Sequence, residues 1–492
     1  MKLLNKLLIT TVAAGALMVT GCKKEFLETN PSNQISADDL FQSTKNAYTL
    51  LQGMHNALTR PGIGNQSSNP TDYGLPSVNL ADDLMGETML KTSSGFDWYS
   101  YHHNYQATEG ANYWMNFIYW TFMYKMINNA NYIIDNIDNA TGPQGEIDDI
   151  KGQALAYRGF FYSELANRFG KHYNEGDMNA LSVPLYTEGT NTNTVAKGRS
   201  TVKEVFDLVF SDLEKAIDLL ANSGVNHPND KSHISEAAAR GMMARIALNC
   251  SKWEIARDQA EYAKSLVGLM SRDELLKGFN LASNPEWIWA SALTAEQYEG
   301  RSLYSFLQWM DDEGPGYASV GAYRMATKDL RDKIPSSDVR SQWFLENGRQ
   351  KKFRLSNSTS FVGDDLLMRA GEMYLIEAEA RYRLNDEAGA VQVLTDLISA
   401  RYADPADYQP PTSGTALLDE ILLQRKIELW GEGFGYEDVR RLNKGLNRPT
   451  GSGNFSPAIA NNNSITIPAG SIRFIYKIPQ SEMDVNPNMV QN

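Results

Sequence analysis

Apolar residues recur at steps of three and four along most of the chain, the period of a helix with one buried face. The stretch Leu366–Pro405 shows it best: Leu367, Ala370, Tyr374 and Ala378 share one face. Asn385-Asp386 then breaks the pattern and caps a second helix carrying Ala390, Leu394 and Leu397. The same pattern predicts a helix from Ser36–Asp39 to about Thr59, with Phe41, Ala47, Leu51 and Leu58 inward. It predicts others over about 109–138, 151–169, 201–220, 233–250, 253–266 and 415–430. In the 109–138 segment the stripe Tyr113, Phe117, Trp120, Tyr124 and Ile127 reads as core rather than ligand platform.

Small residues add a longer spacing. Ala378 and Ala390 stand twelve residues apart, and Ala244, Ala247, Ala256, Ala260 and Ala263 repeat that offset in the 233–266 hairpin. This is how tetratricopeptide-type hairpins bring two helices close together. The fold class read from the chain is therefore mainly α, a tetratricopeptide-like helical-hairpin scaffold over about 36–269 and 366–432. Two long stretches lose helical period, about 60–110 and 270–365, and are read as loop-rich insertions too long to be mere connections. Within the second, Glu286–Ala292 has strand composition, with Trp287 and Trp289 assigned to the core. The segment 433–492 is irregular, with a short strand candidate at Arg473–Ile478.

The N-terminus changes the picture. Lys2 and Lys6 precede an apolar run from Leu7 to Val19, and a small-residue site follows that ends in Cys22. This is the pattern of a lipoprotein signal peptide over 1–21 with Cys22 as the acylated residue, then a tether over 22–35 and a single domain over 36–492. No later stretch approaches the ~20 apolar residues needed to span a bilayer. Cys250 is the other cysteine, so no disulfide framework is expected, and it reads as a small buried hydrophobe. The net charge of −13, about −15 without residues 1–21, argues against a nucleic-acid partner.

Four segments resemble the SusD-like (SusD/RagB) outer-membrane nutrient-binding lipoproteins. They are Cys22-Lys-Lys-Glu-Phe-Leu-Glu-Thr-Asn-Pro31, Arg369–Ala380, and Ile421–Leu429 with Gly433, Asp438, Arg440 and Arg441. The fourth is the terminal pattern Ile478-Pro479, Glu482, Asn486-Pro487 and Gln491-Asn492. The resemblance implies an outer-membrane protein held by lipid and facing outward. It would capture an oligosaccharide, or in some members a peptide, for a SusC-like TonB-dependent transporter. A protein-interaction scaffold is the alternative reading. Arg369, Glu372, Arg425, Glu428 and Arg441 are expected to form structural ion pairs.

Sugar recognition needs aromatic faces for the apolar side of a ring and planar polar groups for its hydroxyls, on loops held by a rigid base. Two segments supply them, 96–105 and 298–317, and in the resembled family these regions line the ligand site. The contact residues expected are Trp98, Tyr101, Trp309 and Asp311, with Tyr73, Asn79, Asp82 and Tyr304 around them. No HExxH, G-x-S-x-G, phosphate-loop or dinucleotide motif occurs, so no enzyme and no cofactor is expected. Asp311, Asp312 and Glu313 are the one candidate set for a structural Ca²⁺, without the ligand spacing of a defined calcium loop.

Overall fold

The computed structural model describes residues 40–64, 69–92, 96, 98–228, 230–293, 297, 304–357, 361–456 and 464–492. Cys22, the signal segment, the tether and the predicted helix opening at Ser36–Asp39 lie outside them. Helix α1 spans Thr44–Ala57 and begins where the Ser43 hydroxyl accepts the Asn46 N–H. Phe41, Ala47, Leu51 and Leu58 are all buried, as their spacing predicts.

The scaffold then runs through α3 (Trp114–Asn136), α4 (Gln144–Phe169), α5 (Val202–Asn222), α6 (Glu236–Asn249) and α7 (Trp253–Ser265). Each packs on the next. Close approach sets the geometry: a Cβ at Gly159 on α4 would lie 3.2 Å from Leu213 and from the Val209 carbonyl of α5. Thr201 and Glu204 form a reciprocal capping box that starts α5. Ala244, Ala247, Ala256, Ala260 and Ala263 are fully buried in the α6–α7 hairpin. The array continues from α7 directly onto α8 (Ala370–Arg383), α9 (Glu387–Ile398) and α10 (Gly414–Glu428), so residues 266–369 are looped out of it. Asn385 takes φ +64° and Asp386 accepts the Gly389 N–H, the predicted break between α8 and α9. Ala378 and Ala390 sit together in a small core under this hairpin, separate from the main one.

Three expectations are corrected. Leu367 belongs to a strand, not to the helix after it: Trp287–Ser291 (β2) pairs antiparallel with Asp365–Arg369 (β4). A short apolar run such as Leu366-Leu367-Met368 fits either state by period alone. The first insertion contains a helix, α2 (Leu75–Met85), ten of whose eleven residues are buried, the polar Asp82 and Asp83 among them. Its entry needs glycine: Gly74 has φ +77°, and a Cβ there would meet the Leu58 carbonyl at 2.0 Å. Finally, Arg473–Ile478 forms no strand; Ile472–Phe474 is a 3₁₀ turn.

Two features fix the insertions, one to each other and one to the scaffold. Met89–Lys91 (β1), from the first, pairs with Arg324–Ala326 (β3), from the second. Below them lies a web of buried ions. Arg369 reaches Glu286 at 2.6 Å, Glu428 at 2.7 Å and Glu432 at 2.7 Å. Arg401 meets Glu286 and Glu428, Arg340 meets Asp338 and Glu428, and Lys352 meets Glu432. Burial alone would raise the Glu428 carboxyl, but Arg401, Arg369 and Arg340 hold it well below the usual carboxylate range. Glu372 pairs with Arg245, while Arg425 and Arg441 share Asp438 on α11 (Gly435–Leu442). The signature residues are thus ion pairs inside the fold, as expected.

Candidate functional site

The two insertions meet around the short helix Ser100–His103, and aromatic rings radiate from it in two groups. The inner group begins with Tyr73, whose hydroxyl lies 2.8 Å from that of Tyr99. Tyr99 stands edge-on to Trp309 at 5.2 Å, and Trp309 stacks on Tyr317 at 4.1 Å with planes 11° apart. Tyr317 then meets Phe96 edge-on at 5.1 Å, and Phe96 is 52% exposed. The Arg324 guanidinium lies over both Trp309 and Tyr99, at 5.1 and 5.5 Å. Burial raises the Tyr73 and Tyr99 hydroxyls above their usual range, so both stay protonated.

The outer group faces solvent. Trp98 stands edge-on to Trp114 at 6.5 Å, Trp114 lies 5.8 Å from Tyr113, and Tyr113 lies 4.6 Å from Tyr101. Trp98, Tyr113 and Trp114 are half-buried and Tyr101 is 47% exposed. The buried His102 ring joins the groups, 6.2 Å from Tyr99 and 6.3 Å from Tyr113. Burial pushes its imidazole down to about 3, so it is neutral.

The expected contact residues divide accordingly. Trp98, Tyr101 and Tyr304 keep exposed surface, as does Asn79 beside Gly433. Tyr73, Asp82, Trp309 and Asp311 do not: all four are buried. Tyr73 and Trp309 belong to the buried inner group, behind the half-open shelf that the outer rings form, and the Trp309 indole N–H donates to the Pro70 carbonyl at 3.2 Å. Asp82 pairs with Arg168, deep against α4. Asp311 binds Arg354 at 2.6 Å and accepts the Leu355 N–H at 2.9 Å. Large rings and carboxylates in loops satisfy a core as readily as a ligand, and sequence does not separate the two. Trp114 was not singled out; its signal was adjacency to Tyr113 at the opening of α3.

The candidate Ca²⁺ ligands are engaged by cations of the protein. Asp311 and Asp312 both bind Arg354, and Asp312 also binds Arg349. A calcium ion there would compete with two guanidinium groups. Among the described residues no group of three His, Cys, Asp or Glu side chains converges to hold a metal, and no helix is long and apolar enough to cross a membrane. Cys250 is buried and its thiol is pushed well up by burial. What the shelf offers chemically is flat aromatic surface on a stiff base.

Residues 25–248 match a family model described as starch-binding, associating with the outer membrane, and residues 340–492 match the SusD family model. The chain is 28% identical to a SusD-like carbohydrate binding protein of Bacteroides vulgatus, with a TM-score of 0.78 over 91% of this chain and 98% of that one. A SusD superfamily protein of Bacteroides thetaiotaomicron superposes with a TM-score of 0.77 at 23% identity, over 92% and 99% of the two chains. SusD-like protein P25 of Formosa agariphila is 21% identical over 474 residues, covering 83% of this chain and 85% of its own length.

Proposed function

The chain belongs to the SusD family, and from that premise we propose that it captures an oligosaccharide at the cell surface and passes it to a SusC-like TonB-dependent transporter. The observation that carries the reading is the outer aromatic shelf of Trp98, Tyr101, Tyr113 and Trp114, half open to solvent above a rigid stack. Sugar rings present apolar C–H faces that pack on such rings, and recognition of this kind needs no reactive group. The family's association with the outer membrane and the Cys22 pattern support anchoring through lipid on Cys22, with the domain outside. Residues 36–492 then act as one binding domain.

Affinity electrophoresis of the mature protein through gels containing soluble starch, xylan or mannan tests the capture. Wild type is retarded by at least one polysaccharide, and Trp98→Ala or Tyr101→Ala loses the retardation with unfolding unchanged. Binding only to mixed peptides would replace the glycan reading with its peptide alternative. Delivery is tested by co-purification of the transporter from detergent-solubilised outer membranes, and anchoring by loss of lipid labelling in Cys22→Ala. A lipoprotein that always purifies alone would overturn the transporter partnership.

A further inference from the structure

Helix α3 presents a half-exposed face well beyond the shelf. Trp114, Phe117, Thr121, Tyr124 and Asn128 step by three, four, three and four, and each is half-buried. The stripe read as core is therefore split: Trp120 and Ile127 are buried, whereas Phe117 and Tyr124 reach the surface. The far part of this face floors a cleft of about 480 Å³, within the size range of small-molecule sites. Its other walls are the loop 184–197 and the short helix Gln480–Val485.

The walls are fixed in place. The Tyr124 hydroxyl donates to the Pro184 carbonyl at 2.8 Å. The Asn131 amide donates to the carbonyls of Tyr186 and Glu188 at 2.9 and 3.1 Å, and the Thr190 N–H donates to Asn128 Oδ1 at 2.7 Å. The Asn486 amide donates to the Lys197 carbonyl at 3.0 Å, which ties the third wall to the second. A cleft held this way loses little freedom when a ligand enters.

Its lining selects a ligand class. The Tyr124 and Tyr186 rings stand 6.3 Å apart at 81°, giving two aromatic surfaces. The Thr121 hydroxyl and the Asn128 amide nitrogen line the same cleft and have no hydrogen-bond partner among the described residues. One lysine, Lys125, and one carboxylate, Glu482, leave it close to neutral. A charged ligand finds no cluster of opposite sign, and a purely apolar one leaves the hydroxyl and amide unmet. An uncharged polyhydroxylated ring meets both requirements.

We infer that this cleft is a second site for neutral sugar residues, placed on the same helix face as the shelf so that one extended oligosaccharide occupies both. Trp114 and Tyr124 are ten residues apart, about 15 Å along the helix at ~1.5 Å per residue, a separation that only a chain of several sugars bridges. The inference rests on the glycan reading of the shelf. Joining two sites on one ligand raises affinity for long chains without changing it for short ones.

The test takes the polysaccharide that retards wild type and compares its disaccharide with a fragment of at least seven sugars by titration calorimetry. Tyr186→Ala and Val485→Arg are the cleft variants; Val485 is 76% exposed at the mouth, so its arginine obstructs without disturbing packing. Both are expected to weaken the long fragment tenfold or more and leave the disaccharide unchanged, whereas Trp98→Ala removes binding of both. Long-fragment binding at the wild-type level in both cleft variants, with Trp98→Ala still defective, overturns the second site and leaves the glycan reading standing. Equal loss for long and short fragments in Val485→Arg also overturns it, since the cleft is then the primary site. Failure of wild type to bind any of the polysaccharides overturns the glycan reading itself.

Discussion

The Trp309 indole lies 4.1 Å from the Tyr317 ring with planes 11° apart, and neither ring is open to solvent as Trp98 is. The stack holds the second insertion against Tyr99 of the first. Trp309→Ala is therefore expected to cost about 3–5 kcal/mol of stability, the range for emptying a buried aromatic site. Trp98→Ala is expected to cost less than about 1 kcal/mol and to act on binding instead. Urea unfolding of the two variants beside gel retardation separates the roles.

Glu428 accepts from three buried guanidinium groups at once. Glu428→Gln leaves the buried web around Arg369, Arg401 and Arg340 with one positive charge in excess, and a loss of about 3–5 kcal/mol is expected in urea unfolding. A loss below about 1 kcal/mol would mean that water or a rearranged carboxylate replaces it.

Acid should loosen the fold through its histidines. Burial lowers the imidazoles of His55, His102, His103, His172 and His233, so they are neutral in the fold and protonate near pH 6.5 when unfolded. Their contribution is fully present above about pH 6.5 and is lost as pH falls toward the lowered values, at up to about 1.4 kcal/mol per pH unit for each. Asp83 and Glu437, pushed up to about 7 by burial, work in the opposite sense. A difference measurement isolates one group: neither ring nitrogen of His102 has a hydrogen-bond partner among the described residues. His102→Phe is expected to flatten the decline in unfolding free energy between pH 6.5 and 4.5, and an unchanged slope would contradict this.

Ala260 is fully buried on α7, the helix that α6 and α8 both pack against. Ala260→Leu forces these helices apart, and about 1–3 kcal/mol of destabilisation is expected in thermal or urea unfolding. Glycan retention by the folded fraction should be unaltered, because the shelf is built from other elements.

Elements with one buried face were legible in the sequence, and α5 with its Thr201–Glu204 box is the clearest case. Helix α2 was not: it lies inside a Gly-, Asn-, Ser- and Tyr-rich stretch, and its polar positions Asp82 and Asp83 are buried rather than turned to solvent. Leu367 reads equally well in either state, because the three-residue apolar run Leu366-Leu367-Met368 looks alike in a strand and in a helix start. At the site, the segments were legible but not the side of each ring. Trp98 in Phe-Asp-Trp-Tyr-Ser and Trp309 in Leu-Gln-Trp-Met-Asp both stand among mixed apolar and polar neighbours, yet the fold leaves the first half-buried and the second fully buried. The α3 stripe shows the same limit, since a step of three or four fixes a face to within a turn and leaves its edges undecided.

The ion web around Arg369 gathers carboxylates and cations from positions 286, 338, 340, 352, 401, 428 and 432. All of it lies in the second half of the polypeptide, and its last two carboxylates, Glu428 and Glu432, follow all four of its cations in the chain. A nascent or truncated chain that stops before Glu428 holds Arg369, Arg401 and Arg340 with too few counter-charges to bury them. The segment that carries Glu428 and Glu432 is therefore required before the web between scaffold and insertions can be buried without excess charge.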